Sequence, residues 1–334
     1  MADKKKRVRY CEGYVNGEVI SLKNGAINDK GKKDESLRFT VEIEVEENKT
    51  IDVDFFVKKY ANNGNSNKTY AKMKKFYSEC PTREDNGEGE LVNCLVRFDE
   101  NKYVSKSGEI VDRGTRVGGT FCTTQTDSKY PINKGAKGMV YGRLESFERV
   151  DDLEGSALEI DILVNSYAYM NEETKEEKVN GFILKVRTHN EEYAEYIEEE
   201  LKIGDIIYLE FDFMKSVAKQ KRTRGIGKSV KNRIQVEHYF ELTNCSAPIL
   251  TLNENNEYEV PVYDDLEEGE EEEFCYTVVT NDDFPFTSHY IDLMHDAIKE
   301  RMEKLQEKAN ELNKENSSED VDEDYEVGED DIPF

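Results

Sequence analysis

Tryptophan is absent from these 334 residues, which contain only four histidines and six prolines. The six cysteines are scattered without a Cys-x-x-Cys pair, and His289 and His295 have no cysteine pair nearby, so no zinc-binding pattern is present. No stretch of about 18 apolar residues could span a membrane, and no early apolar run resembles a signal peptide. We therefore expect a cytoplasmic chain whose cysteines are reduced thiols, mostly in the core.

Catalytic patterns are also missing. The chain has no Ser/His/Asp or Cys/His signature and no metal-ligand spacing. Residues 225–229 read Gly-Ile-Gly-Lys-Ser, but a phosphate-binding loop needs glycine where Arg222 stands. We predict a non-enzymatic protein without a cofactor; an oligonucleotide-binding nuclease would require a metal-carboxylate cluster that the sequence does not contain.

Charge is distributed unevenly along the chain. The formal net charge is −27. Residues 264–334 carry 26 acidic and 5 basic side chains, whereas residues 1–263 carry 47 acidic and 41 basic ones. A nearly balanced body can still present a basic groove, so the acidic total does not exclude a nucleic-acid ligand.

The first half of the body has strand patterns with one short helix among them. Residues 37–45 and 51–57 alternate apolar and polar side chains around a turn at 47–49, which predicts a half-buried hairpin. A helix is predicted over 69–78, and further strands over 91–98, 102–105 and 115–124. Three strands, a helix and two more strands is the order of an oligonucleotide/oligosaccharide-binding (OB) barrel.

The same order recurs in the second half. Strands are predicted over 136–149, 158–169 and 179–187, a helix over 190–201, and two strands beginning at 206 and 233. The turn Lys202-Ile203-Gly204-Asp205 looks like the helix-to-strand-four junction of many OB domains. We therefore predict a mainly β fold with two tandem OB-like barrels, at residues 10–130 and 136–263.

A basic stretch separates the last two predicted strands of the second barrel. Seven of the fifteen residues at 219–233 are basic and none is acidic. In an OB barrel this connection commonly clamps a bound strand. A solvated basic loop is the alternative, but the acidity of the surrounding chain favours contact with a polyanion.

The end of the sequence is rich in acidic residues and finishes with three apolar ones. From Glu315 onward there are ten acidic and no basic residues, a composition that predicts a disordered tail. It ends Glu-Asp-Asp-Ile-Pro-Phe at residues 329–334, which suits an apolar pocket with a basic rim. This hexapeptide resembles the tail of bacterial and phage single-stranded DNA-binding (SSB) proteins, and Gly142-Arg143-Leu144 resembles a segment of that family's first strand.

The resemblance implies a protein that coats single-stranded DNA in replication, recombination or repair and recruits partner proteins through the tail. The expected partner-binding residues are Asp330, Asp331, Ile332, Pro333 and Phe334. That family often stacks bases on tryptophan, so tyrosine and phenylalanine must serve here. The expected DNA-binding residues are Arg38, Phe56, Lys58, Arg143, Tyr167, Tyr169, Lys185, Arg187, Lys219, Lys221, Arg222, Arg224, Lys228, Lys231 and Arg233.

The remaining segments leave alternatives open. Residues 1–9 form a basic arm that is either a solvated terminus or a source of extra phosphate contacts. After an acidic linker at 264–287, an amphipathic helix is predicted over 288–314. Its apolar stripe packs either on the chain's own body or on a second copy. The alternative function is an acidic interaction module or DNA mimic that never touches DNA.

Overall fold

The computed structural model describes residues 11–28, 35–60, 65–152, 154–170, 177–219, 234–253, 258–259 and 288–318. The first part of the chain forms five strands and two helices: β1 (Cys11–Asn28), β2 (Ser36–Glu46), β3 (Lys49–Lys58), α1 (Lys68–Glu79), α2 (Arg83–Asn86), β4 (Leu91–Val104) and β5 (Ile110–Thr124).

These strands close into a barrel. β1 pairs with both β2 and β4, β2 with β3, and β4 with β5, all antiparallel, while β3 and β5 pair in parallel. The alternating apolar side chains of β2 and β3 point inward, as the burial of Val41 and Val53 shows. Helix α1 covers this core with Tyr70, Met73 and Phe76.

The second part repeats the arrangement with β6 (Gly135–Asp151), β7 (Ser156–Met170), β8 (Glu177–Thr188), α3 (Glu191–Glu200), β9 (Ile206–Lys219) and β10 (Ile234–Cys245). Strand β6 pairs with β7 and β9, β7 with β8, and β9 with β10, again with one parallel pair, β8 with β10. Both halves therefore have the OB strand order, which confirms the predicted mainly β fold with two tandem OB-like barrels.

The two barrels share one sheet and one core. The first strands of the barrels, β1 and β6, pair antiparallel, with Gly13 opposite Gly138. A Cβ atom on Gly138 would lie 2.2 Å from the Phe211 ring, so only glycine permits this approach. Phe98 of the first barrel packs against Phe211 of the second, with ring centroids 5.3 Å apart. The relative position of the barrels is thus set by buried contacts.

A short hairpin, β11 (Thr251–Leu252) with β12 (Tyr258–Glu259), precedes the final helix α4 (Ser288–Ser318). The stripe of α4 packs on the chain's own body: Ile291 and Met294 are buried in a cluster with Leu163 and Ile206. Of the two options for this stripe, the structure therefore shows the intramolecular one. No helix among the described residues is long and apolar enough to cross a membrane.

Helix α4 also ties the barrels together. Arg301 donates from Nε to Glu100 Oε2 of β4 at 3.2 Å and from Nη1 to Asn180 Oδ1 of β8 at 2.6 Å. Further along the helix, Asn313 donates to the Gly108 carbonyl in the β4–β5 turn. One helix thus holds an element of each barrel, which resists rotation of one barrel against the other.

One pair of cysteines differs from the predicted reduced thiols. Cys94 and Cys122 form a disulfide between β4 and β5, so the prediction that all six cysteines are thiols is wrong for these two. They lie directly opposite in the antiparallel ladder, with Cα atoms 4.2 Å apart, a register that periodicity alone does not reveal. Burial raises the pKa of Cys11 to about 12, as expected for a core thiol.

Candidate nucleic-acid interface

The outer side of β2 and β3 carries an aromatic ring under an arginine. Arg38 and Phe56 are directly opposite in the antiparallel ladder, and the Arg38 guanidinium carbon lies 4.7 Å from the centre of the Phe56 ring. Phe56 is 43% exposed, because it belongs to the outward set of β3 while its neighbours Phe55 and Val57 fill the core. An exposed planar stack of this kind can take a nucleobase on its ring or guanidinium face.

Strand β5 extends this surface with further arginines. Asp54 of β3 pairs with Gly118 of β5, and Gly118 pairs in turn with Arg97 of β4. Arg116 Nε donates to Asp54 Oδ2 at 2.9 Å. A Cβ atom on Gly118 would meet nothing closer than 3.7 Å, so the surface is open between the arginines.

We call Arg38, Phe56, Lys58, Arg97 and Arg116 the first-barrel face. Every member except Phe56 is a cation, and all five side chains are exposed. They cross strands β2, β3, β5 and β4 in spatial order. Three of them were predicted from the sequence. Arg97 and Arg116 were not, because only the parallel β3–β5 pairing brings these two onto the same side of the sheet as Phe56.

The corresponding side of the second barrel is occupied by ion pairs. Glu159 of β7 accepts from Lys185 Nζ at 2.6 Å and from Arg187 Nε at 2.8 Å, both on β8. Lys185 Nζ also lies 3.1 Å from Asp161 Oδ1. Burial alone would raise the pKa of Glu159, but the hydrogen bonds from Lys185 and Arg187 outweigh it and lower the pKa. The carboxylate therefore stays charged and holds both predicted DNA-binding cations.

His189 completes this network at the end of β8. Its Nδ1 lies 2.8 Å from Glu241 Oε2 and its Nε2 lies 3.0 Å from Asp152 Oδ2. Burial would lower its pKa, but hydrogen bonds to Glu241 and Asp152 outweigh that and raise it. We call the full set the second-barrel face: Asp152, Glu159, Asp161, Lys185, Arg187, His189 and Glu241. It contains four carboxylates and two permanent cations.

The two faces also differ in their aromatic side chains. Arg187 lies over the Tyr239 ring of β10, with the guanidinium carbon 5.9 Å from the ring centre. Tyr239 is only 8% exposed, in contrast to Phe56. A base therefore has access to the ring of Phe56 but not to the ring of Tyr239.

Arg143 lies apart from both faces. It is half-buried on β6, where Nε donates to the Tyr258 hydroxyl at 3.0 Å and Nη1 donates to Glu145. Burial would lower its pKa, but the Glu145 contact outweighs that and raises it. Its observed contacts fasten the β11–β12 hairpin to the second barrel.

The other predicted site residues lie partly or wholly outside the described part of the structure. Tyr167 and Tyr169 lie on β7 and Lys219 ends β9, but the placement of these three side chains is outside the described part. The remaining cations of the basic stretch lie outside the described residues: Lys221, Arg222, Arg224, Lys228, Lys231 and Arg233. So do residues 1–9, the linker at 264–287 and the partner-binding residues 330–334.

A third charged cluster lies at the base of the first barrel. Arg83 forms ion pairs with Glu18 and Glu44, and Lys134 Nζ lies 3.0 Å from Glu44 Oε2. The hydrogen bonds from Arg83 lower the pKa of Glu18 and of Glu44 to about 2. This cluster connects β1, β2 and α2. Among the described residues, no three His, Cys, Asp or Glu side chains are grouped to hold a metal ion.

Residues 11–272 match the sequence profile of the YorF family. The chain belongs to the YorF family. Curated proteins give no significant sequence match.

Among solved structures, this YorF-family chain is similar to the wild-type single-stranded DNA-binding protein of Thermus aquaticus, with 11% identity and a TM-score of 0.42 over 78% of this chain and 96% of that one. It is also similar to a Plasmodium falciparum SSB in complex with single-stranded DNA, with 13% identity and a TM-score of 0.24 over 35% of this chain and 90% of that one. A small single-stranded DNA-binding protein of Streptomyces coelicolor gives 11% identity and a TM-score of 0.22 over 33% and 92%. The OB fold of this chain rests on its own strand order and register.

Proposed function

We propose that this protein binds single-stranded DNA without reading its sequence, and that the first-barrel face makes the main contact. The observation that carries the proposal is the exposed stack of Arg38 on Phe56. It lies on strands two and three of an OB barrel, the side with which such barrels bind oligonucleotides.

The chemistry of binding has two parts. A base stacks on Phe56 or on the Arg38 guanidinium, which tolerates any sequence because every base has a π face. Lys58, Arg97 and Arg116 pair with phosphates of the same strand, Arg116 in exchange for Asp54. Bases of a duplex are already stacked on each other and cannot reach Phe56, so the single-stranded form is preferred.

The second barrel contributes through the connection between β9 and β10 in this proposal. Its predicted cations at 219–233 track the phosphate backbone, and Tyr167 and Tyr169 offer further stacking surfaces. Lys185, Arg187 and Arg143 remain part of the proposed interface, but each must first exchange a carboxylate partner for a phosphate. That exchange weakens their net contribution.

The acidic tail has a separate role. We propose that Asp330, Asp331, Ile332, Pro333 and Phe334 bind replication, recombination or repair proteins through a pocket that is apolar with a basic rim. Like charge keeps this tail off the DNA. Deleting residues 332–334 should remove partner capture in a pull-down while leaving DNA affinity intact; unchanged capture contradicts this role.

Fluorescence anisotropy of labelled single-stranded and double-stranded 20-mers over a salt series tests DNA binding. We expect the single strand to bind more tightly, with affinity that falls as salt rises. Equal affinity for both forms, or affinity independent of salt, contradicts the proposal. Binding of neither form supports the alternative, an acidic interaction module or DNA mimic.

A further inference from the structure

A cavity of about 580 Å³ lies where the two barrels join. Its floor is formed by outward side chains of three neighbouring strands: Tyr14 of β1 pairs with Lys137 of β6, which pairs with Asp212 of β9. The connection between β5 and β6 forms one wall. We call this space the junction cavity; it exists only because β1 and β6 pair.

Two acceptors in the junction cavity lack a partner in the described part of the chain. Asn16 Oδ1 and Asp212 Oδ1 are buried, and neither has a hydrogen bond within the structure. Both residues line the cavity. Leaving a buried acceptor unsatisfied is unfavourable, so a ligand that brings an N–H donor to either oxygen is stabilised here.

The other polar groups of the cavity suit a nucleotide. The charged side chains that line it are three lysines and two carboxylates, namely Lys49, Lys134, Lys137, Glu46 and Asp212. Tyr130 lies in the same lining and is 77% exposed, which leaves its ring available for stacking. Lys134 is bound to Glu44 and Lys49 lies 3.5 Å from Glu46, so Lys137 is the lysine of this lining that has no ion pair among the described residues and can meet a phosphate. The two unsatisfied oxygens attract donors on a base.

The junction cavity is reached directly from the first-barrel face. Arg97 of that face and Asn93 of the cavity lining both project to the outer side of β4. They are four residues apart, which corresponds to about 14 Å along an extended strand. A DNA strand leaving the first-barrel face along β4 therefore passes over the cavity.

We propose that the junction cavity takes one base of the bound strand and favours bases with an exocyclic amino group at the pairing edge, cytosine and adenine, over thymine and uracil. The amino group supplies an N–H donor to Asp212 Oδ1 or to Asn16 Oδ1, whereas thymine and uracil present a carbonyl acceptor at the same place. This inference rests on the proposed single-stranded DNA binding and adds a base preference to it.

The test compares two oligonucleotides that differ in the base edge but have similar stacking surfaces, a 20-mer of deoxycytidine and a 20-mer of deoxyuridine. Competition anisotropy should show that the full-length protein binds the deoxycytidine strand about threefold to tenfold more tightly, the range expected for one or two hydrogen bonds. The Asp212→Asn variant should bring this ratio close to one, because its amide can also donate to the uracil carbonyl.

The matched control is Asp151→Asn. It removes the same charge at an exposed position, at the end of β6 that is far from the cavity-lining Lys137, and it should keep the wild-type ratio of the two affinities. Equal wild-type affinity for both strands overturns the base preference and leaves single-stranded DNA binding intact. A wild-type ratio that survives Asp212→Asn and Asn16→Ala places the preference elsewhere and also overturns the inference. Binding of neither strand refutes this inference together with the proposed function.

Discussion

The two barrels have one strand order but different chemistry on the outer side of their second and third strands. In the first barrel an arginine on strand two stacks on a phenylalanine of strand three, and the ring is exposed. In the second barrel the arginine of strand three is bound to a glutamate of strand two, and its aromatic neighbour is buried.

This difference shows how a repeated fold can divide its tasks. A face whose cations are bound to carboxylates is stabilised internally, and a phosphate must displace those carboxylates to bind. A face with an exposed ring offers a stacking surface directly, and on the first-barrel face Arg116 exchanges Asp54 for a phosphate. Fold alone therefore does not distinguish the two barrels. The side chains on matching strands do, and the proposed role of the first barrel depends on them.

The largest expected difference between the barrels is the stability that the Cys94–Cys122 disulfide adds to the first one. Reduction of Cys94–Cys122 should lower the free energy of unfolding by about 2–4 kcal/mol, because the cross-link restricts the unfolded first barrel. Guanidinium unfolding with and without reductant measures this, and a Cys94→Ala/Cys122→Ala variant should show no response to reductant. If reduction releases no additional titratable thiols, the cysteines are unpaired and the structural assignment of this bond is contradicted.

Replacement of the exposed ring comes next. Phe56→Ala should weaken single-stranded DNA binding by about 1–3 kcal/mol, equivalent to about 5-fold to 150-fold, through loss of one stacked base. Anisotropy with a labelled 20-mer measures the change. The control is Ile203→Ala, which removes an exposed apolar side chain from the turn before β9 of the second barrel. Equal affinities for the two variants would remove Phe56 from the interface.

Neutralising one glutamate should make the second-barrel face more like the first. Glu159→Gln should lower the free energy of unfolding by about 1–3 kcal/mol, because Lys185 and Arg187 lose a charged acceptor. The released cations should also steepen the salt dependence of DNA binding, by about 0.7 in the logarithmic slope for each new phosphate contact. Glu195→Gln, at an exposed position on α3, is the control. An unchanged slope would show that this face does not meet the DNA.

The smallest effects are expected in the pH dependence of stability, where the barrels should differ in direction. The pKa values of Glu18 and Glu44 fall from 4.5 to about 2 in the folded first barrel. Their ion pairs with Arg83 therefore stabilise the protein above about pH 4.5, and this contribution is lost as the pH falls toward 2. The pKa of His189 is raised above its ordinary 6.5, so its contribution is complete below about pH 6.5 and is lost as the pH rises through the folded value.

Urea unfolding from pH 2 to pH 9 measures both contributions. The stability difference between wild type and Arg83→Met should shrink toward acid, and the difference between wild type and His189→Gln should shrink toward base. The two variants serve as controls for each other. Differences that stay constant across this range would contradict the assigned pKa directions.

Much of the fold could be predicted because it depends on local periodicity. Alternation along residues 37–45 and 51–57 predicted the β2–β3 hairpin. It left open whether Phe56 is exposed or packs in the core, and the structure shows the ring 43% exposed. The turn before β9 could be predicted from its glycine, since Gly204 has a φ of 104°. The candidate site could be predicted only in part, because the roles of Arg97 and Arg116 depend on pairing between strands far apart in sequence.

The residue types also did not indicate that carboxylates compete with DNA for the cations of the second barrel. Lys185 and Arg187 alternate with apolar side chains on β8, a pattern equally typical of a DNA-binding strand and of a salt-bridged one. The antiparallel register sets Asp161 opposite Lys185 and Glu159 opposite Arg187, and that register decides which carboxylate each cation meets. Side-chain period indicates a face of a sheet but not the neighbour on that face.

By itself, the sequence determined two barrels with an OB strand order, a helix with one apolar stripe, and a separation of charge between body and tail. These depend on periodicity and composition, which act over a few residues. Only the tertiary structure decided which arginines share a side of the sheet with an exposed ring, which are bound to carboxylates, and where a cavity opens between the barrels. The physical reason is that these features arise from pairing of distant strands, β3 with β5 and β1 with β6, whose register is fixed by packing of the whole core.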